Sequence, residues 1–300
     1  MEVVYSYYEA NKKFEEKQAY IYNQAIKEYR GEEVTAKAIE ERNTYDGPEP
    51  YGIKYASTSD GSALAYIQYR AYHYTHFISL WIGYPWCIKH CPIEIPQQLF
   101  NEMLVYIKSK YPYYPINLGY FDNRFTKMHE FAKIHGFIEK YQKIHYLFDV
   151  KKLREINYYD LPLKVALPDD IAQLVDLAER DKIIDKVYLN GKDIKEYLEQ
   201  DHLKQPSSHN KLSIVYDGDQ FIAAGVIQVQ KLANQFNLSF TMCKPGHEQI
   251  LRTLLAKLSH SLEDDRPLQV IARNDQDYWH TFAKELQAEI IKKRTLYVLH

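Results

Sequence analysis

Three cysteines in 300 residues, Cys87, Cys91 and Cys243, are too few for a disulfide framework and point to a reducing compartment. An excess of one charge is missing as well: 38 Lys and Arg face 40 Asp and Glu, a formal net charge of -2. Each half of the chain carries one more acid than base, which argues against a dedicated nucleic-acid surface. Met-Glu-Val-Val-Tyr at the start has neither the basic n-region nor the apolar h-region of a secretory signal. The uncharged run between Arg70 and Lys89 holds His73, Thr75, His76 and Pro85, so it reads as two strands around a turn and not as a membrane span. The expectation is a soluble, cytoplasmic chain with no membrane or nucleic-acid partner. What is present is a globular composition, 46% hydrophobic and 26% charged, which excludes wholesale disorder. The 28 tyrosines supply flat apolar area whose hydroxyls need partners, in aromatic cores or an aromatic pocket.

An internal repeat organises the chain. At an offset of 151 residues (274 minus 123), Asn123, His129, Phe131, Ala132, Lys133 and Tyr146 fall without a gap on Asn274, His280, Phe282, Ala283, Lys284 and Tyr297. The same offset sets Leu99, Phe100, Met103 and Ile107 on Ile250, Leu251, Leu254 and Leu258, apolar positions at helical spacing in both copies. Upstream, Ile53–Tyr69 and Leu212–Gln230 each read strand, turn, strand around Asp60-Gly61 and Asp217-Gly218. Here the offset is 157 (217 minus 60), so the first copy has six more residues before its next helix, around Trp86 to Pro96. Each half then gives a short strand (Val3–Tyr8; Leu163–Leu167), one or two helices and a hairpin with a third strand. A helix follows (Gln97–Lys108; Glu248–Leu262), then a strand (Ile116–Tyr120; Leu268–Ala272), a helix (Phe125–His135; Asp277–Leu286) and closing strands. The expected division is 1–150, a linker over 151–162 centred on polar Lys151–Asp160, and 163–300, two domains of ordinary size.

This order, with Asn123 followed by Phe131-Ala132-Lys133-Ile134-His135-Gly136-Phe137 and the apolar run His145–Val150, resembles the end of the GNAT acyltransferase family. The chain as a whole is similar to tandem GNAT proteins. The resemblance implies a mixed α/β fold of the α+β type: two domains, each a mixed central sheet flanked by helices. It also implies acetyl-CoA or another acyl-CoA as co-substrate, no metal, and transfer of the acyl group to a small-molecule or peptide amine.

The family binds the CoA pyrophosphate with a glycine-rich turn between its fourth strand and the next helix, where backbone N–H groups approach the phosphates closely. The first half has no glycine after Gly83 there, although Tyr84 to Pro96 is long and carries Lys89 and His90. The second half has the short Lys244-Pro245-Gly246-His247-Glu248. The first half is therefore the expected cofactor site, with Trp81, Gly83, Tyr84, Lys89, His90 and Asn123 as its binding residues. The family's tyrosine acid stands four residues before the Gly of Gly-Phe, where this chain has Ala132, and Ala283 in the copy. Tyr120 and His129 are the candidate substitutes. Several of these residues also have structural readings: Asn123 and Asn274 as helix caps, His129 and His280 as satisfied helix residues, Trp81, Tyr84 and Trp86 as core aromatics. Cys87-x-x-His90-Cys91 offers three zinc-type ligands without an obvious fourth. The rival to the enzyme is a non-catalytic pair of degenerate GNAT folds kept for a ligand or partner surface.

Overall fold

The computed structural model describes residues 2–9, 13–27, 33–46, 52–73, 78–180, 194–203, 212–230 and 235–300. Along the first half run β1 (Val3–Tyr7), α1 (Phe14–Ile26), α2 (Ala36–Asp46), β2 (Ile53–Thr58), β3 (Ala63–His73), β4 (Ile78–Ile82), β5 (Trp86–Cys87), α3 (Glu94–Lys110), β6 (Ile116–Asp122), α4 (Thr126–Ile134) and β7 (Ile138–Phe148). The second half runs α5 (Val150–Glu155), β8 (Leu163–Val165), α6 (Ile171–Arg180), α7 (Ile194–Tyr197), β9 (Ser213–Asp217), β10 (Gln220–Gln230), β11 (Gln235–Cys243), α8 (Ile250–His260), β12 (Leu268–Arg273), α9 (Asp277–Glu285) and β13 (Glu289–Leu299).

The local signals form the elements they specify. Gly61 and Gly218 take φ of +88° and +58° at the two hairpin turns, a region that costs an L-residue strain. The Asp60 carboxylate closes the first turn by accepting from the Ser62 N–H at 3.0 Å. In α3 Leu99, Phe100, Met103 and Ile107 are buried, and in α8 Ile250, Leu251, Leu254 and Leu258 are buried, so the repeated apolar positions form the same helix face twice. Helix α3 starts three residues before the expected Gln97, at Glu94. Pro96 is tolerated because first-turn N–H groups lack intrahelical acceptors anyway. The expected linker begins as α5, capped by Asp149, whose side chain accepts from the Lys151 N–H at 2.9 Å. Val150 and Leu153 are fully buried beneath it, and Arg154 donates to the carbonyls of Ser259, Leu262 and Asp264. Two apolar residues one helical turn apart outweighed the polar composition around them.

Two compact units result. One takes Met1–His73, Phe77–Lys140 and the last six residues, Thr295–His300; the other is built on Tyr141–Arg294. Strand neighbours in the first run β1-β2-β3-β4-β6-β13, and in the second β7-β12-β11-β10-β9-β8. The closing strands are thus exchanged relative to the halves of the sequence: the second half's last residues complete the first unit, and most of β7 completes the second. In the first unit Tyr297 and Leu299 join the cluster of Leu80, Leu99, Phe100, Leu118 and Ala132. In the second, Tyr146 and Phe148 join Phe236, Leu254, Val270 and Phe282. Asn123 and Asn274 both lie in the turn before a helix, and Phe131 and Phe282 both lie within one, as the duplication requires. Among the described residues no helix is long and apolar enough to cross a membrane.

Candidate active site

The feature that positions a site is a parting of two parallel strands. In the first unit β4 and β6 pair over Leu80–Ile116, Trp81–Asn117 and Ile82–Leu118, and the ladder ends there. Buried Asn117 reinforces it, its amide donating to the Leu80 carbonyl at 3.0 Å. Beyond Ile82 the chain stays with β3: the Gly83 N–H donates to the Gln68 carbonyl at 2.7 Å, and Trp86 and Cys87 pair with Tyr66 and Ala65. Strand β6 continues alone on that side. It bends at Gly119, whose φ is +42° and where a Cβ would sit 3.1 Å from the Phe121 ring. An aromatic cluster spans the gap. The half-buried Tyr84 ring stands edge-on to Phe121 of β6 (6.3 Å between centroids), to Phe131 of α4 (5.1 Å) and to Trp86 (5.4 Å).

Several amides of the turn beyond the parting already have acceptors. The N–H groups of Ile88, Cys91, Ile95 and Gln97 donate to the carbonyls of Leu64, Ile88, Pro92 and Ile93, and Pro92 and Pro96 have none. The six additional residues of this segment therefore include a short sheet strand where the sequence suggested a loop able to wrap a phosphate. Lys89 and His90 are exposed on the turn, and the lysine supplies its positive charge. Gly83, expected to offer its N–H to a ligand, has given it to Gln68. A Cβ there would lie 3.2 Å from that carbonyl, so the glycine serves close strand approach. The Trp81 indole N–H donates to the Ser79 hydroxyl at 2.8 Å. Both alternate with buried Leu80 and Ile82 along the strand, which puts Trp81 on the other face of β4.

His129 is held at both ring nitrogens. Nε2 lies 3.1 Å from the Asp122 carbonyl and Nδ1 lies 2.9 Å from the Tyr297 hydroxyl. A carbonyl only accepts, so Nε2 carries the proton and Nδ1 accepts from the tyrosine. Burial, with Glu139 nearby, pushes the Tyr297 hydroxyl up and keeps it protonated for this role. The copy repeats it: His280 Nε2 is 2.9 Å from the Arg273 carbonyl and Nδ1 is 2.7 Å from the Tyr146 hydroxyl. Each histidine therefore meets the tyrosine encoded in the other half. Asn123 and Asn274 are not caps. The residues at the helix starts, Phe125 and Gln276, make no side-chain cap bonds. Asn123 Oδ1 instead accepts from the Thr295 hydroxyl at 3.1 Å, and Asn274 Oδ1 accepts from the Gln142 N–H at 2.9 Å. Tyr120 lies in β6 beyond the parting, and its side chain is outside the described residues. Ala132 is fully buried, its carbonyl accepting from the Phe137 N–H.

The second unit parts in the same way. Strands β11 and β12 pair only over Phe236–Leu268 and Asn237–Gln269. The β10–β11 register passes from Val226–Phe240 to Ile227–Leu238, leaving Ser239 as a β-bulge, a device that bends a strand and re-aims its side chains. No residue type signals that bulge in the sequence. At the following turn Gly246, with φ of +81°, donates its N–H to Glu248 Oε1 at 2.9 Å. Among the described residues no three His, Cys, Asp or Glu side chains converge on a metal position.

No family model and no curated protein matches the sequence. Solved structures do. A GCN5-related N-acetyltransferase from Sphaerobacter thermophilus superposes with a TM-score of 0.71 at 10% identity, over 99% of this chain and 95% of that one. A glucosamine N-acetyltransferase region of a fungal multi-domain GH3 β-N-acetylglucosaminidase gives a TM-score of 0.70 at 9% identity, over 99% of this chain and 38% of that one. A tandem GNAT protein from the clavulanic acid biosynthesis pathway gives 0.61 at 9% identity, over 99% and 98%. The chain has the GNAT fold in tandem, as the repeated tail implied.

Proposed function

We propose that this chain is an acyl-CoA-dependent N-acyltransferase that uses its first unit, transferring an acetyl or other acyl group to a small-molecule or peptide amine. The observation that carries this reading is the parting of β4 and β6 after Ile82–Leu118, which leaves the edge of β6 from Gly119 to Asp122 without a partner from β4. The opening suits the thin, extended pantetheine arm. The turn after it fits the pyrophosphate less well, because several of its amides are engaged, so Lys89 would hold the phosphates as a point charge with the His90 ring as a hydrogen-bond donor beside it. Bound there, acyl-CoA supplies an activated thioester. The chain's own part is to orient it along β6 and to keep water out with Tyr84, Phe121 and Phe131. His129 has no free nitrogen for proton transfer, and Ala132 has no acid, which leaves the Tyr120 hydroxyl as the candidate donor.

A second reading has its own support. The Tyr84 cluster across the first parting and the Glu248 carboxylate at the second turn suit a fold that has given up acyl-CoA and serves as a binding or scaffold protein. Thermal unfolding with and without acetyl-CoA separates the two, since a ligand of the folded state raises Tm by mass action. The enzyme reading expects a shift that Lys89→Ala combined with His90→Ala weakens, and CoA release with a panel of amines that Tyr120→Phe slows about 10²–10⁴-fold. No shift and no turnover would leave the scaffold reading.

A further inference from the structure

The two faces of the first unit's sheet differ beside the opening. On one face Leu80, Ile82 and Leu118 are buried with Leu99 and Phe100 of α3 and Ala132 of α4. That face is closed. The strand register sets the rows of the other. Arg70 of β3 pairs with Trp81 of β4, which pairs with Asn117 of β6, and Tyr72 pairs with Ser79 in the row beside them. Residues opposite one another on neighbouring strands share a face and lie within side-chain reach. The row of Arg70 stands one residue before Ile82–Leu118, the last pair before the strands part. Helix α1 reaches this face at Gln68, whose amide oxygen accepts from buried Gln18 at 3.4 Å. Beyond it Arg70, Tyr72 and Trp81 are half-buried, and Arg70 is the one charged residue in these rows. Burial, and to a lesser degree Arg42, pulls the Arg70 guanidinium below its ordinary value against the influence of Tyr72. A cation held in that way gains from an anion brought alongside.

We propose that the row of Arg70 and Trp81 is the acceptor subsite, and that the acceptor is an amine of amino-acid size whose carboxylate Arg70 holds. This rests on the acyltransferase reading above. A thioester laid along β6 ends at the closed end of the opening, and the amine must reach it from the face that the core leaves open. There the planar guanidinium offers two parallel N–H bonds to a carboxylate, and Trp81 offers an apolar wall. One guanidinium matches the single charge of a carboxylate. A phosphate, with nearly two charges, finds no second cation in these rows. The neutral amine nitrogen bonds to the thioester carbon, the C–S bond breaks toward sulfur, and the nitrogen's proton ends on the thiol.

The test uses the full-length protein, acetyl-CoA and matched amines at equal concentrations of free amine: α-amino acids, their carboxamides, the decarboxylated amines and the aminophosphonates. CoA release is expected with a kcat/KM about 10–100-fold higher for the amino acids than for the carboxamides and decarboxylated amines. Arg70→Gln should bring that ratio close to one, through KM. Arg70→Lys keeps the charge without the fork and should restore part of it. Thermal melts check that each variant folds, and the lysine variant carries the comparison if the glutamine variant does not. Equal kcat/KM for acids and carboxamides, a preference for the aminophosphonates, or an acid preference that survives in folded Arg70→Gln overturns the proposal and leaves the acyltransferase reading standing. If acetyl-CoA neither raises Tm nor is consumed with any of these amines, that reading fails and the subsite falls with it.

Discussion

At the scale of single residues, the two copies answer the same backbone demand with different side chains. The helix α4 ends with Gly136 at φ +77°, and α9 ends with Gln287 at φ +53° in the matching place. A non-glycine residue in the left-handed region costs about 1 kcal/mol or more. Gln287→Gly is therefore expected to stabilise the protein by ~1 kcal/mol, and Gly136→Ala to destabilise it by at least as much, read from urea midpoints. The histidines make a second case. Removing the His129 ring leaves the Tyr297 hydroxyl without its acceptor, at a cost of about 1–3 kcal/mol. Tyr297→Phe should cost less, and the double variant should show a coupling of about 0.5–3 kcal/mol. A catalytic His129 would instead lose rate without losing stability.

At the scale of elements, the tie between β2 and α3 predicts a pH dependence. Lys54 is buried among the rings of Tyr5 and Tyr7 and paired with Glu102, which also accepts from Gln98. Burial pushes the Glu102 carboxyl up, but the hydrogen bonds from Lys54 and Gln98 outweigh it and hold the carboxyl below its ordinary value. A depressed carboxyl contributes stability above its unfolded value, near about 4.3, and loses it as the pH falls through the folded one. Wild type should therefore lose stability between about pH 5 and 3 more steeply than Glu102→Gln, in thermal melts across that range. The sequence showed the helix faces and hairpin turns plainly, because 3.6-residue spacing and Asp-Gly act locally. It did not show that Trp86–Cys87 pairs with β3, nor that Ser239 bulges from β11. Both depend on which backbone groups a distant strand leaves unpaired.

At the scale of the whole molecule, the exchange of closing strands sets what can fold. The first unit needs Thr295–His300 for its core residue Tyr297, which is 3% exposed, and for the partner of His129. A chain ending at Arg294 is expected to lose amide protection in β6 and α4 while β10 and β11 keep theirs, measured by hydrogen exchange. A fragment of residues 1–150 lacks that strand altogether and should unfold without cooperativity. Equal protection in both units of the shortened chain would argue against the exchange.

Sequence alone determined that the fold is repeated, in what order its elements run, which helix faces turn inward, and that other residues stand where the resemblance implies a glycine cradle and a tyrosine acid. These are properties of residue type and spacing. Tertiary structure decided which closing strand completes which sheet, and with it the partner of each histidine and asparagine. Strands β7 and β13 carry Tyr146 and Tyr297 at matching positions in similar apolar runs, so either satisfies the same cleft locally. The choice between them rests on long-range pairing that no local pattern encodes. The same holds for the backbone amides after β4: residue types show that glycine is absent there after Gly83, but only the folded sheet shows that those of Gly83, Ile88 and Cys91 already have acceptors.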